Sequence, residues 1–430
     1  MKRVIVIVIL LFAAAGVSLA QTGTWSGKLD IQGMKLAVVL HLDPENPTMD
    51  SPDQGVKGIP VQVTRTAAGN LTVKIPAAGA TYEGLWVGKR IVGTFKQNGL
   101  SLPLTLAPGE EKLNRPQTPV GPFPYATEEV SFTHGDAVLK GTLVLPEGCS
   151  RKTPVFIMVT GSGQQNRDEE VFEHKPFAVI ADALARAGVA TLRYDDRGVG
   201  ESTGDVVLAT TEDFKEDALA GVRLLRERFD KVGVIGHSEG GTIALMLAAE
   251  KQVDFIVSLA GMAVSGAETL LWQNRIQLLE QGFPEATVDA FCNALAGAFD
   301  ARIHGGKAPD ISDLDIPASL KQSYLAVLMQ IQMPYLTKFL SLDMRPLLGG
   351  IACPVLALNG TKDTQVDCRS NLDALRSGLP ARPQNRIEAV EGVNHLFQTC
   401  STGASSEYRT IEETIAPSVL ETIVQWVSAL

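Results

Sequence analysis

Residues 231–250 read KVGVIGHSEGGTIALMLAAE, and the order of residue types in them decides the fold. KVGVI has the unbroken apolar character of a buried strand, and GTIALMLAAE, ten residues on, has that of a helix. Between them stands G-x-S-x-G, as Gly236-His237-Ser238-Glu239-Gly240. A strand that turns sharply into a helix through a serine needs glycines two before and two after it, because the backbone must close on itself there. Such an elbow holds the serine hydroxyl out at the carboxyl end of a parallel sheet.

The same pattern recurs as Gly200-Glu201-Ser202-Thr203-Gly204. Chance supplies about 0.1 to 0.2 copies in a chain of this length at average amino-acid usage, so context must rank the two. The nearest strand-like run before Ser202, VATLRYD (189–195), ends well short of it, and TGDVVLATT after it is no helix. Ser202 reads as a loop residue, which leaves Ser238 as the candidate nucleophile.

A serine hydroxyl is weakly nucleophilic near neutral pH, so a histidine must take its proton and an acid must orient that histidine. In elbow enzymes these follow in the order serine, acid, histidine. Only His304 and His395 lie beyond Ser238. His395, in VEGVNHLFQ, follows the strand-like RIEAV (386–390), whereas His304 falls in a helical stretch and reads as an exposed polar residue. Asp363 follows CPVLALNG (353–360) by a short loop and is the candidate acid; Asp367, four residues on, is its rival at the start of the next helix. An oxyanion hole needs two backbone donors. One is the N–H of Glu239, acting through its backbone rather than its carboxylate. The other lies among Ser162, Gly163 and Gln164, in the glycine-bearing loop after TPVFIMVTG (153–161). That loop is no phosphate cradle, because Asn166 stands where the third glycine of G-x-G-x-x-G would be.

Outward from the elbow, strands and helices alternate. Helices are expected at 176–188, 211–229, 241–250, around 369–378 and at 417–430, and a further strand at 253–261. Repeated βα units predict an α/β fold, a mostly parallel sheet with helices on both faces. From 263 to 347 the pattern gives way to a Leu- and Met-rich helical stretch, expected to be a cap inserted over the sheet edge. Of its apolar residues, Leu270, Leu271, Trp272, Leu325, Leu328, Met329, Met333 and Phe339 are candidates for an acyl pocket, most of them going to the cap's own core. Residues 21–114 carry short alternating runs divided by Gly, Pro, Asn and Asp, the marks of a small antiparallel β domain. RPQTPVGPFP (115–124) opens a proline-rich linker over 115–127, and the catalytic domain is expected to run from 128 to 430.

Residues 1–20, MKRVIVIVILLFAAAGVSLA, have the basic start, apolar run and small-x-small ending of a secretory signal peptide. Read as a membrane anchor, the run of about 15 apolar residues falls short of the roughly 20 that a span needs. No cysteine follows the cleavage point, so neither a lipid nor a membrane anchor is expected after processing, and the protein is expected to be exported to a periplasmic or extracellular location. A formal charge of −10, made more negative by loss of Lys2 and Arg3, disfavours nucleic acid and anionic membranes as partners. The five cysteines lack metal-site spacing, and neither metal nor cofactor is expected. Cys368 and Cys400 each follow a candidate catalytic residue by five positions, so both a pairing and two free thiols stay open.

GHSEGG, LNGTKD, EGVNHLFQ, TGSGQQNRDE, RYDDRGVGES and the closing NHLFQTCSTGASSEYRTIEETIAP together resemble the secreted serine esterases of the α/β-hydrolase superfamily that carry a small N-terminal β module. The likeness spans roughly residues 128–430. It implies hydrolysis of carboxylic esters, small-molecule or saccharide-linked, through Ser238, His395 and Asp363, with Glu239 and the 162–164 loop as oxyanion hole and no cofactor. It makes RYDDRGVGES a structural loop near the site. The sequence departs from many α/β-hydrolases at Thr160, where they have histidine. A serine peptidase or amidase of the prolyl-oligopeptidase-like type is the alternative, although its propeller is much larger than the β domain here. A non-catalytic ligand-binding protein is the reading from another class, and a homodimer stays open.

Overall fold

The computed structural model describes residues 22–430 apart from 32–33, 53–55, 67–68, 98 and 111. The expected signal peptide lies outside the described residues. They form two compact units that divide between Leu113 and Asn114. The first is a nine-stranded sheet from Thr24–Ile31 to Leu100–Pro108, antiparallel throughout, with the first strand paired to both Met34–His41 and the last. Trp25, Leu40, Tyr82, Ile91 and Leu106 fill its core.

The second unit holds an eight-stranded sheet. Its strands are β1 (Ala126–His134), β2 (Ala137–Leu145), β3 (Val155–Val159), β4 (Ala190–Tyr194), β5 (Val232–His237), β6 (Ile256–Leu259), β7 (Val355–Gly360) and β8 (Arg386–Val390). They lie in the order β1-β2-β4-β3-β5-β6-β7-β8, parallel from β4 to β8, with β1 and β2 antiparallel. Helices α1 (Pro176–Arg186), α2 (Thr211–Arg226), α3 (Glu239–Ala249), α8 (Cys368–Gly378) and α9 (Pro417–Ser428) cover it. The apolar run of β3 shows why: Val155, Ile157 and Val159 pack into one core with Leu225 of α2, Leu245 of α3 and Leu375 of α8. Phe156 and Met158, one residue out of phase, pack into another with Phe177 of α1 and Trp426 of α9. Every side chain of such a strand is buried, each aliphatic or aromatic one contributing about 1.5–3 kcal/mol. This is the α/β-hydrolase fold.

Pro176 opens α1 with its fixed φ, and at the start of α2 the Asp213 carboxylate accepts from the N–H and the hydroxyl of Thr210. The hairpin of β1 and β2, which turns at Gly135 with φ 59°, is absent from the sequence expectation, which names no element between the proline-rich linker and residue 153. Between β6 and β7 run α4 (Gly266–Glu280), α5 (Glu285–His304), α6 (Ala318–Gln330) and α7 (Pro334–Ser341), packed around Val288, Phe291, Leu295, Phe299 and Tyr324. The proline-rich stretch does not span free. Arg115 donates to the carbonyl oxygens of Phe172, Arg409 and Ile411, and Gln117 takes the N–H groups of Thr414 and Ile415. Among the described residues no helix is long and apolar enough to cross a membrane.

Candidate active site

Ser238 stands between the last residue of β5 and the first of α3 with φ 53° and ψ −119°, a conformation of order 1–3 kcal/mol above the favoured regions. The surrounding glycines make it attainable. A Cβ on Gly236 would sit 1.9 Å from the Gly240 carbonyl oxygen, and one on Gly240 would sit 2.0 Å from that of Val159. The strain is held by the bond from Ser238 N to Leu259 O, 2.8 Å.

The loops after β7 and β8 bring the other two residues together. His395 Nδ1 lies 2.8 Å from Asp363 Oδ2, and both side chains are buried. The other oxygen of Asp363 accepts from the amides of Gln365 and Val366, at 2.7 and 2.9 Å. With the Nδ1 proton shared with a fixed carboxylate, Nε2 is left as the basic nitrogen. Ser238 and His395 line one cavity of about 390 Å³. Asp367 instead accepts from Ser370 N and caps α8, and His304 is exposed on the cap beside Asp300. Ser202 is buried, donating to Asp195 O and accepting from Lys140 N.

Three acidic residues brace the loop after β3. Gly161 N donates to Glu169 Oε1 at 2.7 Å, Ser162 Oγ to Glu239 Oε2 at 2.8 Å, and Gln165 N to Asp196 Oδ2 at 3.0 Å. The Thr160 hydroxyl lies 2.9 Å from both oxygens of Asp196, which gives the departure from histidine at this position a physical role. Of the three residues expected to offer the second donor, Ser162 lines the cavity with Ser238, whereas Gly163, with φ 103°, and Gln164 line a separate one. Burial pushes the Asp196 carboxyl up to about 8, against the bonds from Thr160 and Gln165.

His237 has an acceptor at each ring nitrogen: Glu169 Oε1 at 2.9 Å from Nδ1 and the His395 carbonyl oxygen at 2.9 Å from Nε2. Burial is the largest influence and works against its charge, but the Glu169 carboxylate, the His395 carbonyl oxygen and the Asp363 charge together raise the pKa. The carboxylate of Glu239, expected to be idle, takes hydrogen bonds from Ser162, from Thr211 and from Tyr335 of the cap. Sequence reasoning misses Glu169, Asp196 and Tyr335, none of which stands in a spacing that marks it; the acid-rich loops NRDEE and RYDDR were the available signal.

Of the cap residues proposed for the pocket, Leu270 and Phe339 line the cavity, joined by Leu336 and Tyr335. Leu271 and Leu328 pack against the cap core, whereas Leu325, Met329 and Met333 are exposed and Trp272 is half-buried. The five cysteines are free, Cys368 and Cys400 included; Cys368 Sγ points to Asn359 O and Cys400 Sγ to Gly392 O. Among the described residues no cluster of metal ligands occurs.

Fold and elbow together define an α/β-hydrolase of the esterase and S15-peptidase type. The chain belongs to the X-Pro dipeptidyl-peptidase (S15) family, whose sequence model matches residues 135–377. It is similar to Esterase EstD of Thermotoga maritima, with 27% identity over 261 residues, 60% of this chain and 58% of that protein. Among solved structures it is similar to the Pyrococcus furiosus esterase Pf2001 at 16% identity, over 75% of this chain and 98% of that one, with a TM-score of 0.45. Proline iminopeptidase of Mycobacterium smegmatis is similar at 17% identity, over 70% of this chain and 99% of that one, with a TM-score of 0.42.

Proposed function

We propose that the protein is an exported serine carboxylesterase acting on small-molecule or saccharide-linked esters. The observation that carries this is the His395–Asp363 pair opening on the same cavity as the strained Ser238. Ser238 Oγ attacks the ester carbonyl as His395 Nε2 takes its proton, and Asp363 stabilises the imidazolium. The oxyanion is met by the N–H of Glu239 and by one of the amides of Ser162, Gly163 and Gln164. His395 then returns the proton to the leaving alcohol, and a water molecule releases the acid by the same route. Export rests on the signal-peptide pattern of residues 1–20.

A serine peptidase is the second reading, favoured by the name of the family. The lining of the cavity favours the ester. An exopeptidase that takes a free N-terminus must hold a desolvated ammonium, which calls for an unengaged carboxylate. Among the residues lining the cavity the one carboxylate is Glu169, already committed to His237 and Gly161 N. Gln165, Gln273, Gln365 and Tyr408 add neutral polar groups, and they face an apolar wall that includes Met262, Leu270 and Leu336. Turnover of p-nitrophenyl acyl esters is therefore compared with that of aminoacyl and X-Pro anilides, in wild type and Ser238→Ala. Ester cleavage abolished by the substitution is the expected result. Vigorous anilide cleavage with negligible ester cleavage sinks the reading, and ester turnover that survives Ser238→Ala moves the nucleophile elsewhere.

A further inference from the structure

Glu239 is the first residue of α3, directly after Ser238; the residue is 2% exposed, and its carboxylate is held without a cation bonded to it. It is held by three hydroxyl groups. Thr211 Oγ1 donates to Oε1 at 2.6 Å, while Ser162 Oγ, at 2.8 Å, and Tyr335 Oη, at 2.6 Å, both donate to Oε2. A buried carboxylate keeps its charge only with such donors, and the amino end of α3 adds a favourable field. The two donors on Oε2 come from different parts of the unit: Ser162 from the loop that offers oxyanion amides, Tyr335 from the cap helix α7. One oxygen atom thus joins the cap to the loop.

Tyr335 is suited to this work. Burial, then the adjoining Glu239 charge, raises its pKa, so the phenol remains a donor. Its ring faces Phe214 of α2 and Phe339 of α7, with centroids 6.2 and 5.9 Å away. The residue also lines both the substrate cavity, with Ser162, and a second one of about 210 Å³ that Gly163 and Gln164 line. Withdrawal of Tyr335 would therefore take one of the two donors from Glu239 Oε2 and leave Ser162 as its one remaining tie to the loop.

We propose that Tyr335 is a positioning residue for the oxyanion loop, acting through the Glu239 oxygen it shares with Ser162, so that acyl transfer depends on the cap being seated. This rests on the serine-esterase reading. Ser162 N and Glu239 N both neighbour the shared bond, so a shift at Oε2 reaches one amide on each side of the oxyanion. Misplacing donors by a fraction of an ångström harms the transition state more than the bound substrate.

The test is a double-mutant cycle on the full chain, with p-nitrophenyl butyrate as substrate: Tyr335→Phe, Ser162→Ala and the two combined. Each single substitution is expected to lower kcat about tenfold and to leave KM within about twofold. The double variant is expected to match either single one, because both break the same bridge. A KM rise at constant kcat for Tyr335→Phe would make the residue a substrate contact, and losses that multiply in the double variant would make the two hydroxyls independent; either result overturns the proposal, as does wild-type kcat in both single variants. Ser162→Ala leaves the cap untouched, so it reads the bridge even where Tyr335→Phe disturbs folding, and thermal unfolding of each variant registers such a disturbance. Ester turnover surviving Ser238→Ala is the separate signal that the underlying esterase reading has failed.

Discussion

Glu169 Oε1 lies 2.9 Å from His237 Nδ1 and 2.7 Å from Gly161 N, so one carboxylate oxygen serves both the elbow and the loop after β3. Because His237 Nε2 also meets the carbonyl oxygen of His395, the pair ties together Ser238's elbow, the loop after β3 and the loop that carries His395. The raised pKa of His237 fixes the sign of a pH effect. Protonation is favoured by folding, so its stabilisation is full below the unfolded value near 6.5 and is lost as pH rises through the folded pKa. Urea unfolding of wild type and His237→Gln across pH 5.5 to 9 is expected to show the wild-type advantage shrinking as pH rises. A gap that stays constant would mean that folding leaves the pKa of the ring unchanged, and one that widens as pH rises would mean that the folded ring is held neutral.

Asp363 and Asp367 stand four residues apart and have separate work. Asp363→Asn leaves the oxygen that serves Gln365 and Val366 in place but removes the acceptor that holds His395 in its tautomer. It is expected to lower kcat by about 10³- to 10⁴-fold with little change in unfolding temperature. Asp367→Ala removes the cap of α8 and is expected to cost about 1 kcal/mol of stability while kcat is kept. Steady-state kinetics and denaturant melts on the two variants separate the roles.

The second pentapeptide gives the contrasting case. The Ser202 hydroxyl donates to Asp195 O and accepts from Lys140 N, closing a loop against β2. Ser202→Ala leaves both partners short of a bond and is expected to cost about 1–3 kcal/mol, with ester turnover and fluorophosphonate labelling of Ser238 unchanged.

Legibility followed the range over which each feature is encoded. The elbow was legible because strand, glycines and helix are adjacent in the chain, and β8 falls on Arg386–Val390 as expected because its run is bounded by turns. The β1–β2 hairpin went unread because its alternation is diluted by charged residues such as Glu128, Glu129 and Lys140. The loop brace was illegible for a different reason. Glu169 and His237 are 68 residues apart and Tyr335 and Glu239 are 96, and no local pattern specifies which acid meets which donor. For the cap, periodicity identified helices but not their facing, so Leu325, Met329 and Met333 were assigned inward and lie outward.

Asp196 brings opposing demands into one residue. Its carboxyl group receives Thr160 Oγ1 and Gln165 N, at the two ends of the loop after β3, yet burial raises its pKa to about 8. The folded state therefore retains a proton that the unfolded chain releases near 3.8, and wild-type stability falls as pH climbs from about 4 to about 8 through this group. Asp196→Asn removes that titration. Its amide oxygen still accepts from Thr160, but its NH2 group faces Gln165 N, donor against donor. Relative to wild type, the variant is expected to gain stability between pH 5 and pH 8 in urea melts while losing about tenfold in kcat on a p-nitrophenyl ester. A stability difference independent of pH would show that Asp196 is ionised throughout, and an unaltered kcat would show that Gln165 N can hold the loop without it.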